Sequence, residues 1–94
     1  MNNAYPNPFN PVTRIKFGLP EKSHIQLVVY DLLGREIVNL KSGIAVAGWH
    51  SIQWGGYNIH GTKVPSGIYI YTLTAESLES DKTFTQSQKV VMLK

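Results

Sequence analysis

The 94-residue sequence contains no cysteine. That one absence excludes disulfides, thiolate nucleophiles and cysteine-based zinc sites, though it does not exclude export, because a well-packed sandwich needs no covalent staple. Charge is scarce at 16%, against 43% hydrophobic and 11% aromatic residues, a balance too apolar for a disordered tail. No apolar stretch approaches the roughly 18 residues of a membrane-spanning helix. The first residues lack the charged and apolar regions of a signal peptide, so an export address is expected upstream or within the domain itself. The net charge is only +3 and the nine Lys and Arg are dispersed. A basic stripe with interleaved aromatics is missing, which argues against nucleic acid as a partner.

What the sequence has is regular punctuation by Gly and Pro, with period-two segments between. That pattern indicates several short strands in a sandwich or barrel. The span Tyr5-Pro6-Asn7-Pro8-Phe9-Asn10-Pro11 is crowded with proline, which cannot donate to a ladder, so residues 1–12 are expected to be an extended lead-in or edge segment. Residues 13–94 are expected to form the folded domain.

Thr13 to Leu19 places Ile15, Phe17 and Leu19 on one face and Arg14 and Lys16 on the other. His24 to Tyr30 is apolar on both faces for part of its length, which predicts a strand covered on two sides. Asp31-Leu32-Leu33-Gly34 reads as a tight hairpin leading into Arg35 to Leu40. Gly43 to Gly48 reads as a small-residue connection, after which His50, Ile52 and Trp54 share a strand face. Residues 55–63 read as a loop. Ile68 to Ala75 alternates again, turning Tyr69, Tyr71, Leu73 and Ala75 one way. Glu76 to Lys82 reads as a polar connection, and Thr83 to Lys94 as the last strand. The expected class is therefore all-β, an immunoglobulin-like antiparallel sandwich of about seven strands, with a small closed barrel as the competing topology.

Chemistry is not expected. The six carboxylates sit on turns and polar connections, where solvation keeps them from general acid–base work. Glu76 to Asp81 has too few converging oxygens for calcium. His24, His50 and His60 lie on different segments with no metal-ligand spacing. A nucleophile elbow and a phosphate loop are both missing. The sequence thus predicts no enzyme, no metal and no cofactor. Trp54, Tyr69 and Tyr71 are expected to supply core area rather than a sugar platform. Trp49 and Tyr57, beside flexible glycines, are the aromatics that fit a core least.

Five segments in order carry a resemblance: the Tyr5 to Pro11 stretch, Val29-Tyr30-Asp31-Leu32-Leu33-Gly34-Arg35-Glu36, Gly48-Trp49-His50-Ser51-Ile52-Gln53-Trp54, Pro65-Ser66-Gly67-Ile68-Tyr69-Ile70-Tyr71 and Lys89-Val90-Val91-Met92-Leu93. Together they resemble the type A C-terminal sorting domain of the type IX secretion system. They also resemble the immunoglobulin-like domain of flagellar hook-capping proteins. The resemblance implies a sorting and attachment domain that directs export of a larger secreted bacterial protein. Its implied partners are the outer-membrane export machinery and an upstream domain of the parent protein, with self-association open, and its implied location is secreted or cell-surface, reached through the periplasm. The recognition strand would be Lys89, Val90, Val91, Met92, Leu93 and Lys94, and the family-pattern positions Gly67 and Tyr69. Where the family commonly has Trp-Asp-Gly-x-Asp, this chain has Gly55 and Asn58, which disfavours a carboxylate ion site. The alternatives are a structural spacer or edge-pairing interaction module, and a carbohydrate-binding module of a secreted enzyme.

Overall fold

In the computed structural model, residues 12–92 are the ones described. They form six strands: β1 (Thr13–Leu19), β2 (Ser23–Tyr30), β3 (Glu36–Ala45), β4 (Gly48–Trp54), β5 (Gly67–Ser77) and β6 (Thr83–Met92). The expected count of about seven is corrected to six among the described residues. The proline-rich lead-in falls outside them, as do Leu93 and Lys94 of the expected recognition strand.

Every pairing is antiparallel. β1 pairs with β4 in a two-stranded sheet, and β3, β2, β5 and β6 follow in that order in a four-stranded one. The alternation read from the sequence places the apolar rows where two sheets can share them. Ile15, Phe17, Leu19 and Trp54 come from the smaller sheet; Ile25, Leu27, Val29, Tyr69, Tyr71, Leu73, Ala75, Val90 and Met92 come from the larger. Direct register puts Val29 opposite Tyr71 and Leu27 opposite Leu73, so the core is built from cross-strand pairs. The arrangement is two separate sheets face to face, which decides against the closed barrel.

Three elements differ from expectation. β5 runs on to Ser77, into the stretch read as a polar connection, because Glu76 pairs with His24 on one side and Thr83 on the other. β3 runs on to Ala45, through the stretch read as a connection, because Ile25 pairs with Gly43 and Ser23 with Ala45. Gly43 takes φ +128° within that strand, a conformation open to glycine. Ile52, whose place on the strand face of Trp54 predicts burial, is only half-buried, packed against the core from β4 of the two-stranded sheet. Val28 is buried although it belongs to no core cluster, in keeping with the two-sided cover expected of β2.

Candidate recognition surface

The described residues among those singled out by the resemblance lie together on β5 and β6. β6 pairs with β5 so that Tyr69 lies opposite Val90, Gly67 opposite Met92 and Ile70 opposite Lys89. The described part of the terminal strand and the Gly-x-Tyr strand are therefore direct neighbours at one end of the larger sheet. Their side chains divide by face. Val90 and Met92 are buried, while Lys89 is exposed and Val91 half-buried. The terminal strand is thus a core strand on its inner side, and its outward side is what a partner meets.

Tyr69 locks this corner. Its hydroxyl donates to the Pro65 carbonyl at 2.7 Å, and its ring meets Trp54 edge-on at 5.5 Å between centroids. Burial pushes the phenol above its ordinary value, and the negative charge of Asp31 acts in the same direction. This is the tyrosine-corner device, a phenol tied to backbone a few residues upstream. Trp54 in turn donates its indole N–H to the Tyr57 carbonyl at 3.1 Å, anchoring the loop after β4.

The same end carries the β2–β3 hairpin. Asp31 Oδ1 accepts from the Leu33 and Arg35 backbone N–H groups at 2.9 Å each, and its Oδ2 accepts from Arg35 Nε at 2.8 Å. The Arg35 backbone N–H, more than its charge, holds the Asp31 carboxyl below its ordinary value. Gly34 takes φ +83°, as the turn requires. Asn58 does the equivalent in the β4–β5 loop, accepting from the His60 and Thr62 N–H groups at 2.9 and 3.0 Å. Asn58 therefore shapes the loop with a neutral oxygen, at the place where the family commonly holds a carboxylate.

The opposite end is tied by Glu21. Its Oε1 accepts from Ser80 Oγ at 2.8 Å and from Ser77 Oγ at 3.0 Å, and these two bonds, Ser80 first, depress its pKa. Among the described residues no cluster of three or more His, Cys, Asp or Glu is placed to hold a metal. His50, on the smaller sheet, bonds the Val46 carbonyl at 2.7 Å and stacks on Phe17 at 5.4 Å. His24 and His60 are exposed elsewhere.

The aromatics divide as their neighbours suggested. Trp54, Tyr69 and Tyr71 are buried, whereas Trp49 is 73% and Tyr57 49% exposed. Each of the latter lies over a glycine: a β-carbon on Gly18 would stand 3.3 Å from the Trp49 ring, and one on Gly55 the same distance from the Tyr57 ring. Sequence reading singled out both aromatics but missed Gly18 and the Arg14 and Lys16 side chains beside it. Only the non-sequential pairing of β1 with β4 brings these together.

Two sheets with buried tyrosines and a phenol-locked corner define an immunoglobulin-like β-sandwich. The sequence matches the FlgD Ig-like domain over residues 2–79, and the chain belongs to that family. Among solved structures it is similar to FlgD from P. aeruginosa, at 25% identity and a TM-score of 0.67, covering 85% of this chain and 61% of that one. It is also similar to dimeric latent PorU from Porphyromonas gingivalis, at 18% identity and a TM-score of 0.75 over 96% of this chain and 9% of that one. A third is PorZ from the same organism, an essential surface component of the type IX secretion system, at 18% and 0.51 over 97% of this chain and 11% of that one. At 18% identity the last two share the fold. The chain spans less than two thirds of the length of each of these proteins. The sequence has no match among curated proteins.

Proposed function

We propose that the domain is a sorting and attachment module that directs a larger bacterial protein to the cell surface or medium by way of the periplasm. The observation that carries the reading is the β5–β6 register, which places the family-pattern Gly67 and Tyr69 directly against Met92 and Val90. A signal in that patch is read from a folded surface, with outer-membrane export machinery as the partner, docking on the outward side of β6 and its neighbours. The module has no catalytic role in this reading. Its most elaborately bonded carboxylates, Glu21 and Asp31, are occupied in joining and shaping turns.

The second reading is a structural spacer or interaction module. Family membership and the likeness to FlgD at 25% identity favour it. One experiment separates the two. Residues 1–94 are fused behind a fluorescent cargo carrying an inner-membrane signal peptide, in a host with a working type IX system. Because Val90 and Met92 are core, the informative variants are the outward ones, Lys89→Ala and Val91→Thr. Delivery by the intact domain, reduced in variants that melt like the parent, supports sorting. Cargo held in the periplasm by the intact domain sinks sorting and leaves the spacer.

A further inference from the structure

The outward face of the β1–β4 sheet forms a continuous strip. Its pairs, in register, are Gly18 with Trp49, Lys16 with Ser51 and Arg14 with Gln53. Gly55, just past the end of β4, lies under the Tyr57 ring. An aromatic ring thus stands at each end, with two cations and two neutral hydrogen-bonding side chains between. Six residue steps lead from Trp49 to Gly55, so the strip is about 20 Å long.

Three features distinguish it from an ordinary solvated face. Trp49 presses one side of its indole on the Gly18 backbone and, being 73% exposed, offers the other side to solvent. The ring is therefore oriented before any ligand arrives, and no rotamer search opposes stacking on it. A groove of 310 Å³ runs beside it, lined by Lys16, Trp49, Ser51 and His50, whose ring turns to the Phe17 side of β4. Charge is one-sided. The face carries Arg14 and Lys16 and no acidic residue, and among the described residues neither cation has an ion-pair partner. At the far end Lys63 Nζ stands 5.8 Å from the Tyr57 ring centroid, adding a third cation.

We infer that this strip binds a linear acidic polysaccharide of the uronate type. The C–H face of a sugar ring stacks on Trp49, carboxylates along the chain meet Lys16, Arg14 and Lys63, and ring hydroxyls bond Ser51 and Gln53. A neutral glycan would leave the cations unanswered. A nucleic-acid strand would ask for a stacking platform at each base, and the strip has none between its two ends. The site shares no residue with the Gly67, Tyr69 and β6 patch, so its fate and that of the sorting reading are decided separately.

Affinity electrophoresis and calorimetry of residues 1–94 against polygalacturonate test it, with laminarin as a neutral glucan and oligothymidylate as comparators. The expected result is binding that weakens with salt, and that falls about tenfold or more, equivalent to about 1.4 kcal/mol, in Trp49→Ala and in the Arg14→Gln, Lys16→Gln pair. Trp49 also covers Gly18, so Ser51→Ala with Gln53→Ala serves as a second variant that leaves that cover in place; it too is expected to weaken binding. Thermal melts confirm folding of each. Polygalacturonate bound equally well by Trp49→Ala would reduce the strip to simple cation attraction and overturn the inference. Tighter binding of laminarin or oligothymidylate than of polygalacturonate would overturn it as well.

Discussion

Tyr69 shows how one side chain can be both core and corner. Its ring packs against Trp54 while its hydroxyl bonds the Pro65 carbonyl. Tyr69→Phe keeps the ring and removes the bond, and urea unfolding should show a loss of about 0.5–1.5 kcal/mol with the slope unchanged. Leu27, fully buried and opposite Leu73, supports a larger expectation: Leu27→Ala should cost about 2–5 kcal/mol by the same measurement, and a loss below 1 kcal/mol would place it outside a packed core. Gly56 is constrained twice. Its φ is +81°, and a β-carbon there would stand 2.5 Å from Met92 Cε in a side chain that is itself buried. Gly56→Ala should therefore destabilise by about 1–3 kcal/mol. The Leu27 assignment follows from alternation in the sequence alone. The Gly56 contact does not, because it joins residues 36 positions apart in sequence.

At the scale of elements, the two ends of the sandwich are held by carboxylates used as connectors. Asp31 closes the β2–β3 hairpin from within its own sequence, which is why that turn was readable from Asp-Leu-Leu-Gly. Glu21 joins the β1–β2 turn to the β5–β6 loop, and no local pattern announces a bond to serines more than fifty residues away. Both carboxyls are held below their ordinary values in the folded state. A depressed folded value means that the contribution to stability is present above the unfolded value, about pH 4, and is lost as pH falls through the folded one. Melting temperature should thus fall on acidification below about pH 4. In Glu21→Gln the neutral-pH melt should drop while the acid-side decline becomes shallower. Equal acid slopes in parent and variant would show that Glu21 does not contribute through its charge. Strand limits follow the same division between local and distant causes. β1 is legible to the residue from its alternation, but β3 outruns its expected end because β2 offers pairing partners as far as Ser23.

The whole molecule is organised by pairings that skip along the chain: β1 finds β4, and β2 lies between β3 and β5. Periodicity shows which residues face inward and is silent about which strands are neighbours, so the fold class was readable and the outward strip of Arg14, Lys16 and Trp49 was not. The same organisation determines what the terminal strand can be. Val90 and Met92 fill the core from β6, opposite Tyr69 and Gly67, and Met92 also packs against Gly56 in the β4–β5 loop. Removing residues 89–94 would therefore take Val90 and Met92 out of the core beside Tyr69 and Gly56 and leave the corner bond without that packing. The expected outcome is loss of the whole cooperative transition, seen as disappearance of near-ultraviolet circular dichroism and of a sigmoidal melt. A slightly weaker five-stranded domain is not expected, since small sandwiches unfold as one unit. Lys89→Ala and Val91→Thr, by contrast, should melt within a few degrees of the parent, as surface or half-buried changes do. A truncated chain that still melts cooperatively near the parent temperature would show that β6 is an appendage, readable by a receptor as a peptide. If it unfolds, a receptor that depends on the last strand can meet it only as one edge of an intact sandwich, and export would then report on folding as well as on sequence.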